Sequence, residues 1–194
     1  MIFFNRALYV IFLVFTFTTY AQAKDWTSIA DQSRIAFGSI KKNVIGEVHH
    51  FNQVKGTVSD NGDLSITIDL ASLETNIDIR NERMTKHVFL EGQAGALIAG
   101  QIDMEEVRGL KVGEMATIEV EVTLSFVGVE NDIDAELLVV RLAENRVLVA
   151  TTDFIMISTE DLEIDPGIDK LMELASLPGI TRATPVAIRM VFEK

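Results

Sequence analysis

The chain has 194 residues, with 17 Lys and Arg against 29 Asp and Glu, a formal net charge of −12 and no cysteine. Because phosphate contacts need clustered Lys and Arg, this acidity argues against nucleic acid as a partner. The lack of cysteine excludes disulfides, thiol catalysis, zinc–cysteine sites and iron–sulfur clusters. A hydrophobic content of 48% excludes an acidic disordered tail.

Residues 1–23 have the pattern of a secretory signal peptide. Arg6 supplies a positive charge, an apolar run follows from Ala7 to Phe17, and Ala21-Gln22-Ala23 is a small-x-small cleavage site. The run is too short for a bilayer span, which needs roughly 20 apolar residues. We therefore predict cleavage after Ala23 and a single domain over residues 24–194, without stable membrane insertion. An uncleaved anchor is the alternative. Export without cysteine favours a bacterial periplasm.

Alternation with a period of two dominates the rest of the chain. It predicts antiparallel strands with one apolar and one solvated face. The clearest segments are Leu64–Leu70, Ala116–Phe126 and Val186–Phe192. Weaker strand patterns lie at Ile35–Lys41, Val44–Phe51, Val54–Val58, Ile98–Val107, Asp132–Arg141 and Arg146–Ser158. About eight or nine strands favour a closed barrel or a sandwich. The interior of an eight-stranded barrel holds either packed side chains or one small ligand, and the pattern does not separate these cases.

Two segments break this period and predict short helices. Asn81–Leu90 is polar, with a few apolar side chains at helical spacing. The second helix begins at Asp165-Pro166, with Asp as the cap and Pro at the first helical position, and it ends before Pro178-Gly179.

Residues that could carry chemistry are few. The histidines are His49, His50 and His87, and the first two are adjacent in a strand. Adjacent strand residues point to opposite faces, so these two cannot bind one metal, and we expect one in solvent and one packed at a rim. The chain has no G-x-S-x-G motif or Gly-rich phosphate loop, and Asp60–Asp63 lacks the rest of a calcium loop. We therefore predict no catalytic residue, metal or cofactor, although a carboxylate pair inside the barrel stays open.

The apolar stripes are more informative than any polar motif. Each buried CH₂ is worth about 0.8 kcal/mol, whereas association costs roughly 4–15 kcal/mol. A short apolar molecule would barely overcome that cost, whereas a long isoprenoid or acyl chain could do so without a special polar site.

A resemblance to a known family lies in the middle of the chain. Ile68–Thr75 reads I-D-L-A-S-L-E-T, and Arg80–Met84 follows after four residues as R-N-E-R-M. This resembles the I-D-x-A-S-I-D-T motif, followed by R-D-x-H-L, of the YceI-like family of exported lipocalin-like proteins. Weaker matches extend the resemblance over residues 25–194. The sequence departs from the family pattern at Gln32, Val48, Asn81 and Arg83.

The resemblance implies a mainly β protein, an eight-stranded antiparallel up-and-down lipocalin-like barrel with one or two short helices. Family members bind polyisoprenoid lipids, such as quinone-like molecules with long tails. Carried over, the expected ligand-binding residues are Phe37, Phe51, Ile66, Ile68, Leu70, Arg80, Ile118, Val120, Val122 and Leu124. Arg80 would contact the head group, or alternatively would form a structural hydrogen bond to loop backbone.

We therefore expect a periplasmic binding or carrier protein that holds a long-chain isoprenoid or similar apolar lipid, without catalysis. One alternative is an interaction or stress-response protein whose barrel is filled by side chains and takes no ligand. A second is an enzyme with a polar cluster inside the barrel. The sequence leaves a homodimer open.

Overall fold

The computed structural model describes residues 24–90 and 95–194. The predicted signal peptide lies outside the described residues. Within them the chain forms twelve strand segments of one antiparallel sheet. These segments are β1 (Trp26–Ser28), β2 (Arg34–Lys41), β3 (Ile45–Phe51), β4 (Val54–Val58), β5 (Asp63–Ile68), β6 (Leu73–Glu74), β7 (Ala96–Gln101), β8 (Met115–Phe126), β9 (Val129–Ala143), β10 (Arg146–Thr151), β11 (Ile155–Ser158) and β12 (Ala183–Glu193).

The twelve segments combine into the eight strands of a closed barrel. Four strands are interrupted, and their halves are β1 and β2, β3 and β4, β5 and β6, and β10 and β11. The other four, β7, β8, β9 and β12, run without a break. Strands adjacent in the chain pair antiparallel, and β12 closes the ring by pairing with β1 and β2. The predicted eight-stranded antiparallel barrel is confirmed.

The inward side chains of the strands form the core. On β8, the alternating residues Ile118, Val120 and Val122 are buried inside the barrel, and Glu119 and Glu121 between them are exposed. Full burial of one aliphatic side chain stabilises the fold by about 1.5–3 kcal/mol. The two-residue period therefore sets which face of each strand turns inward.

Three helices accompany the barrel in the described residues, where one or two were expected. They are α1 (Asp78–His87), α2 (Met104–Gly109) and α3 (Asp165–Ala175). None of the helices in these ranges is long and apolar enough to cross a bilayer. The cap prediction for α3 is off by one residue, because Ile164 occupies the N-cap position and Asp165 is the first helical residue.

Helix α2 corrects the predicted strand Ile98–Val107. The strand ends at Gln101, and Asp103 then caps a helix by accepting a 2.8 Å hydrogen bond from the backbone N–H of Glu105. Met104 and Val107, which had extended the strand pattern, are buried on one side of this helix. Met104 and Val107 are an i, i+3 pair on one face of this helix, which explains the difference from the predicted strand.

Helix α2 covers the end of the barrel where β12 finishes beside β1. The buried Arg141 donates a 2.6 Å hydrogen bond from Nη2 to the carbonyl oxygen of Val107. Its guanidinium carbon also lies 5.3 Å from the ring centroid of Trp26, as a cation–π contact. We call this the closed end.

Helices α1 and α3 lie at the opposite end, beside the β2–β3 hairpin. Gly167 allows α3 to approach the end of α1, because a Cβ there would lie 2.8 Å from the Cα of Val88. The hairpin turns through Lys42 and Asn43, both with positive φ. It is tied to the segment after α3 by a 3.0 Å hydrogen bond from the backbone N–H of Lys42 to the carbonyl of Gly179. We call this the open end.

Candidate ligand-binding cavity

A cavity of about 500 Å³ occupies the barrel interior. It extends from Trp26 at the closed end to Ile79 at the open end, and its walls are mostly aliphatic. Known small-molecule sites typically measure about 300–1,000 Å³ and are mostly apolar. The volume and the lining therefore both fit an elongated apolar ligand.

Nine of the ten predicted site residues line this cavity. They are Phe37, Phe51, Ile66, Ile68, Arg80, Ile118, Val120, Val122 and Leu124. Leu70 is buried but lies outside the cavity lining. The reason is that β5 ends at Ile68, and Leu70 begins a 3₁₀ turn after Asp69, so the strand alternation no longer sets its direction. Ligand binding by these residues stays a prediction.

Four phenylalanine rings form a continuous row along the cavity. The ring centroids of Phe37 and Phe51 are 5.5 Å apart, those of Phe51 and Phe89 are 5.9 Å apart, and those of Phe89 and Phe126 are 5.8 Å apart. All four residues line the cavity. Such spacings are typical of favourable aromatic pairs, so the row makes an apolar surface that crosses the interior from β2 to the end of β8.

The cavity reaches the surface at the start of α1. Ile77 and Ile79 both line it, and they are 42% and 51% exposed. The exposed Lys42 of the hairpin also belongs to the lining. The exposed lining residues all lie at the open end, so we place the mouth of the cavity there.

An ion-pair cluster lies just inside this mouth. Glu47 accepts a 2.5 Å hydrogen bond from Nη1 of Arg80 and a 2.8 Å hydrogen bond from Nζ of Lys41. Arg80 also donates from Nη2 to the carbonyl oxygen of Thr75 at 2.6 Å, so the backbone hydrogen bond considered for it exists. The hydrogen bond from Arg80, with help from Lys41, outweighs burial and lowers the pKa of Glu47 to about 2.

His49 lies inside the barrel next to this cluster. It is 2% exposed, its ring centroid is 5.2 Å from that of Phe37, and its Nε2 is 3.0 Å from Oγ of Ser39. Burial, and then the positive charge of Arg80, lower the pKa of His49 to about 4, so the ring is neutral at neutral pH. His50 points to the other face, as predicted, but His49 is a cavity residue and not a rim residue.

Two buried polar atoms in this region have no hydrogen-bond partner among the described residues. They are Nδ1 of His49 and Nε of Arg80. An unpaired buried polar atom costs about 1–3 kcal/mol, so a polar group of a ligand that reached either atom would recover part of that cost. The described residues hold no group of three or more His, Cys, Asp or Glu that could bind a metal ion.

A closed β-barrel around an apolar cavity that is open at one end is the architecture of lipocalin-like ligand-binding barrels. The model of the YceI-like domain matches residues 26–181, and the chain belongs to this family. It is similar to a polyisoprenoid binding domain from Saccharophagus degradans implicated in plant cell wall breakdown. The two chains are 34% identical with a TM-score of 0.84, over 87% of this chain and 97% of that one.

Two more distant structures share the fold. BcnA from Burkholderia cenocepacia is 11% identical with a TM-score of 0.63, over 84% of this chain and 98% of that chain. A YceI protein from Campylobacter jejuni is 14% identical with a TM-score of 0.54, over 75% and 84% of the two chains. Among curated proteins, none is significantly similar in sequence.

Proposed function

We propose that the protein binds or carries a long isoprenoid or similar apolar lipid, with the tail inside the barrel and the polar end at the mouth. The observation that carries this proposal is the apolar cavity of about 500 Å³, which runs from the closed end to the open end. The similar domain from Saccharophagus degradans is a polyisoprenoid binding domain, which supports the same ligand class here. A barrel filled by side chains, the earlier alternative, would leave no such space.

The energetics favour a long tail. One isoprene unit has five carbons, and at about 0.8 kcal/mol per buried CH₂ it contributes roughly 3–4 kcal/mol. Association costs roughly 4–15 kcal/mol, so about four or more units are needed for useful affinity without polar contacts. The aliphatic walls and the phenylalanine row provide the surface against which such a tail would pack.

The head group in this proposal lies against the cluster at the mouth. Arg80 offers its Nε–H, and His49 offers Nδ1, which donates or accepts according to its tautomer. A carbonyl or hydroxyl group on the ligand that reached either atom would satisfy it. The Glu47 carboxylate already compensates the charge of Arg80, so a neutral polar group suffices.

We propose binding without catalysis. A general base is most effective when its pKa is near the operating pH. The pKa of Glu47 is lowered to about 2 and that of His49 to about 4, so both are weak bases at neutral pH. We also propose a periplasmic location, supported by the predicted signal peptide. Sequencing the N-terminus of the exported protein would test it, with Lys24 expected as the first residue.

Native mass spectrometry of protein purified from its own host tests the ligand directly. We expect the mass of a retained lipid, and lipid extraction should recover a molecule with a long isoprenoid or acyl tail. Val120→Trp, which places an indole in the cavity, should abolish retention. Glu121→Trp, on the exposed face of the same strand, should not. Repeated recovery of an empty chain that takes up no offered polyprenyl lipid would refute the proposal.

A further inference from the structure

The outer surface of the barrel has two walls of different character. In the middle of β8 and β9 the outward residues are acidic, and Glu119 lies directly opposite Glu136, as Glu121 lies opposite Asp134. Like charges directly across a ladder are destabilising, so this side stays solvated. We call the outer face of β8 and β9 the acidic wall.

The side of the ring centred on β12 and β2 is apolar. It is the outer face of β11, β12, β2 and β3, which we call the apolar wall. Met156, Val48 and Ile40 are 61%, 72% and 42% exposed there, and Phe154, immediately before β11, is 70% exposed. Between the hairpin tip and the pair Arg34–Arg189, the remaining outward positions of these strands are Gly, Ala, Pro, Ser or His, and none is acidic. The outward acid of β12, Glu193, lies beyond Arg189.

The apolar wall is continuous across the four strands, because each pairs with the next. Met156 is paired with Pro185, and Gly38 is paired with Val48. A Cβ on Gly38 would lie 2.9 Å from Cγ of Pro185, which shows how closely the small residues fit. Four strands and about five residues along each give roughly 300 Å² from standard sheet spacings. Exposed apolar patches of a few hundred Å² often mark interaction sites.

Cations border this wall at both ends. Arg34 and Arg189 are directly opposite each other on β2 and β12, and both are exposed. Neither forms an ion pair with any described residue. At the other border, the hairpin tip carries the exposed Lys42 beside Val44, which is 82% exposed. Adjacent guanidinium groups are well suited to phosphate oxygens.

We propose that the apolar wall docks on a phospholipid membrane with anionic head groups. A net charge of −12 opposes approach to such a membrane, so docking needs a face without acids whose apolar and cationic groups offset the repulsion. The apolar wall is such a face, and the acidic wall would then point away from the membrane. An apolar surface bordered by cations is the usual composition of a segment that lies at a membrane interface.

The alternative occupant, a second copy of the chain, fits less well. In a two-fold contact through the apolar wall, the Arg34–Arg189 pair of one copy would face either the same pair or the Lys42 border of the other copy, so cations would meet without an opposing acid. The apolar wall also adjoins the mouth, because the inward faces of the same strands carry Phe37, Ile157 and Val186 of the cavity lining. Docking would therefore place the mouth close to the membrane. The proposal goes beyond ligand binding and does not require it.

Vesicle flotation of protein purified after expression of the full-length gene tests the docking. We expect binding to phosphatidylcholine vesicles that contain phosphatidylglycerol, and weaker binding to phosphatidylcholine alone or at high salt. Arg34→Gln should reduce the affinity for the anionic vesicles roughly fivefold, and the double variant with Arg189→Gln about 30-fold. Met156→Asp should also reduce binding.

The matched control is Met115→Asp on β8, because Met115 is 66% exposed and lies away from the apolar wall. This variant should bind as the wild type does, and circular dichroism of each variant verifies that it is folded. Equal binding to both vesicle types, or equal losses for the two methionine variants, would overturn the proposal. The proposal would also be overturned if sedimentation equilibrium showed a dimer that Met156→Asp dissociates and the wild type did not bind vesicles. Native mass spectrometry of Met156→Asp distinguishes a failure of membrane docking from a failure of ligand binding, because this substitution leaves the cavity lining unchanged.

Discussion

Replacing Glu47 with Gln tests how the mouth is held together. Glu47 joins β3 to α1 through Arg80 and to β2 through Lys41. The amide of Gln keeps the shape but removes the negative charge between two cations. We expect Glu47→Gln to be destabilised, because both cations would lose their counter-ion at a partly buried site.

The size of the loss follows from the pKa of Glu47. The pKa falls from 4.5 to about 2 on folding. One pKa unit corresponds to about 1.4 kcal/mol, so the full difference is about 3 kcal/mol. The side chains of Glu47, Arg80 and Lys41 are 19%, 20% and 26% exposed, so solvent screens the pair. We therefore expect a loss of about 1–2 kcal/mol in the free energy of unfolding at neutral pH.

The pH dependence gives the prediction its sign. A carboxyl whose pKa is lowered on folding stabilises the fold above its unfolded pKa and loses that contribution as the pH falls through its folded pKa. The difference between wild type and Glu47→Gln should be constant above about pH 5.5 and should shrink between pH 4.5 and pH 2. Urea unfolding at several pH values, followed by the fluorescence of the single tryptophan, measures it.

Glu119→Gln is the matched control, because Glu119 is exposed and lies opposite Glu136. Removing its charge relieves a like-charge contact, so this variant should be at least as stable as the wild type. If Glu47→Gln is no less stable than Glu119→Gln at pH 7, or if its deficit is the same at pH 3, the ion pairs do not hold the mouth and the reasoning fails.

Two further predictions concern packing and ligand length. Gly167→Ala should destabilise the fold by about 1–3 kcal/mol or more, because its Cβ would overlap the carbonyl oxygen of His87, whereas Gly46→Ala has nothing within 4 Å and should change stability by less than about 0.5 kcal/mol. Thermal unfolding compares the two, and equal effects would contradict the close contact of α1 and α3. Trp26 lines the closed end of the cavity, so its emission should shift only when an added lipid has a tail long enough to reach it. A shift of the same size with short-tailed lipids would contradict the tail-inward orientation.

Most strands could be predicted from the sequence because their alternation is local. Residues 118, 120, 122 and 124 of β8 line the cavity because every second side chain of a strand turns inward. Leu70 continues the alternation of Leu64–Leu70 in the sequence, but β5 ends at Ile68. The end of a strand depends on its pairing partners elsewhere in the chain, which the local pattern does not contain. Helix α2 carried its own marker, an Asp followed by two Glu at a helix start, which the apolar pattern over Ile98–Val107 masked.

The candidate site was predicted only in part. His49 is two residues from Phe51, so once Phe51 was assigned to the interior the same face of β3 had to carry His49 and Glu47 as well. This two-residue spacing was the sequence feature that could have predicted His49 and Glu47 as cavity residues. Nothing in the sequence indicated the cavity itself, because its volume depends on the distance between opposite walls of the barrel and not on any local pattern. The apolar wall has no hydrophobic run in the sequence, because it is assembled from four strands and includes small residues such as Gly38 and Pro185.

The interruptions in four of the eight strands divide each of these strands into one segment at the open end and one toward the closed end. A barrel with unbroken strands can widen at one end only by distorting the hydrogen-bond ladder along its whole length. Here β2, β3, β6 and β11 build the open end, and β1, β4, β5 and β10 continue them toward the closed end as distinct segments. In these four strands a change in the open-end segment meets a break in the ladder before it reaches the closed end, whereas β7, β8, β9 and β12 connect the two ends directly.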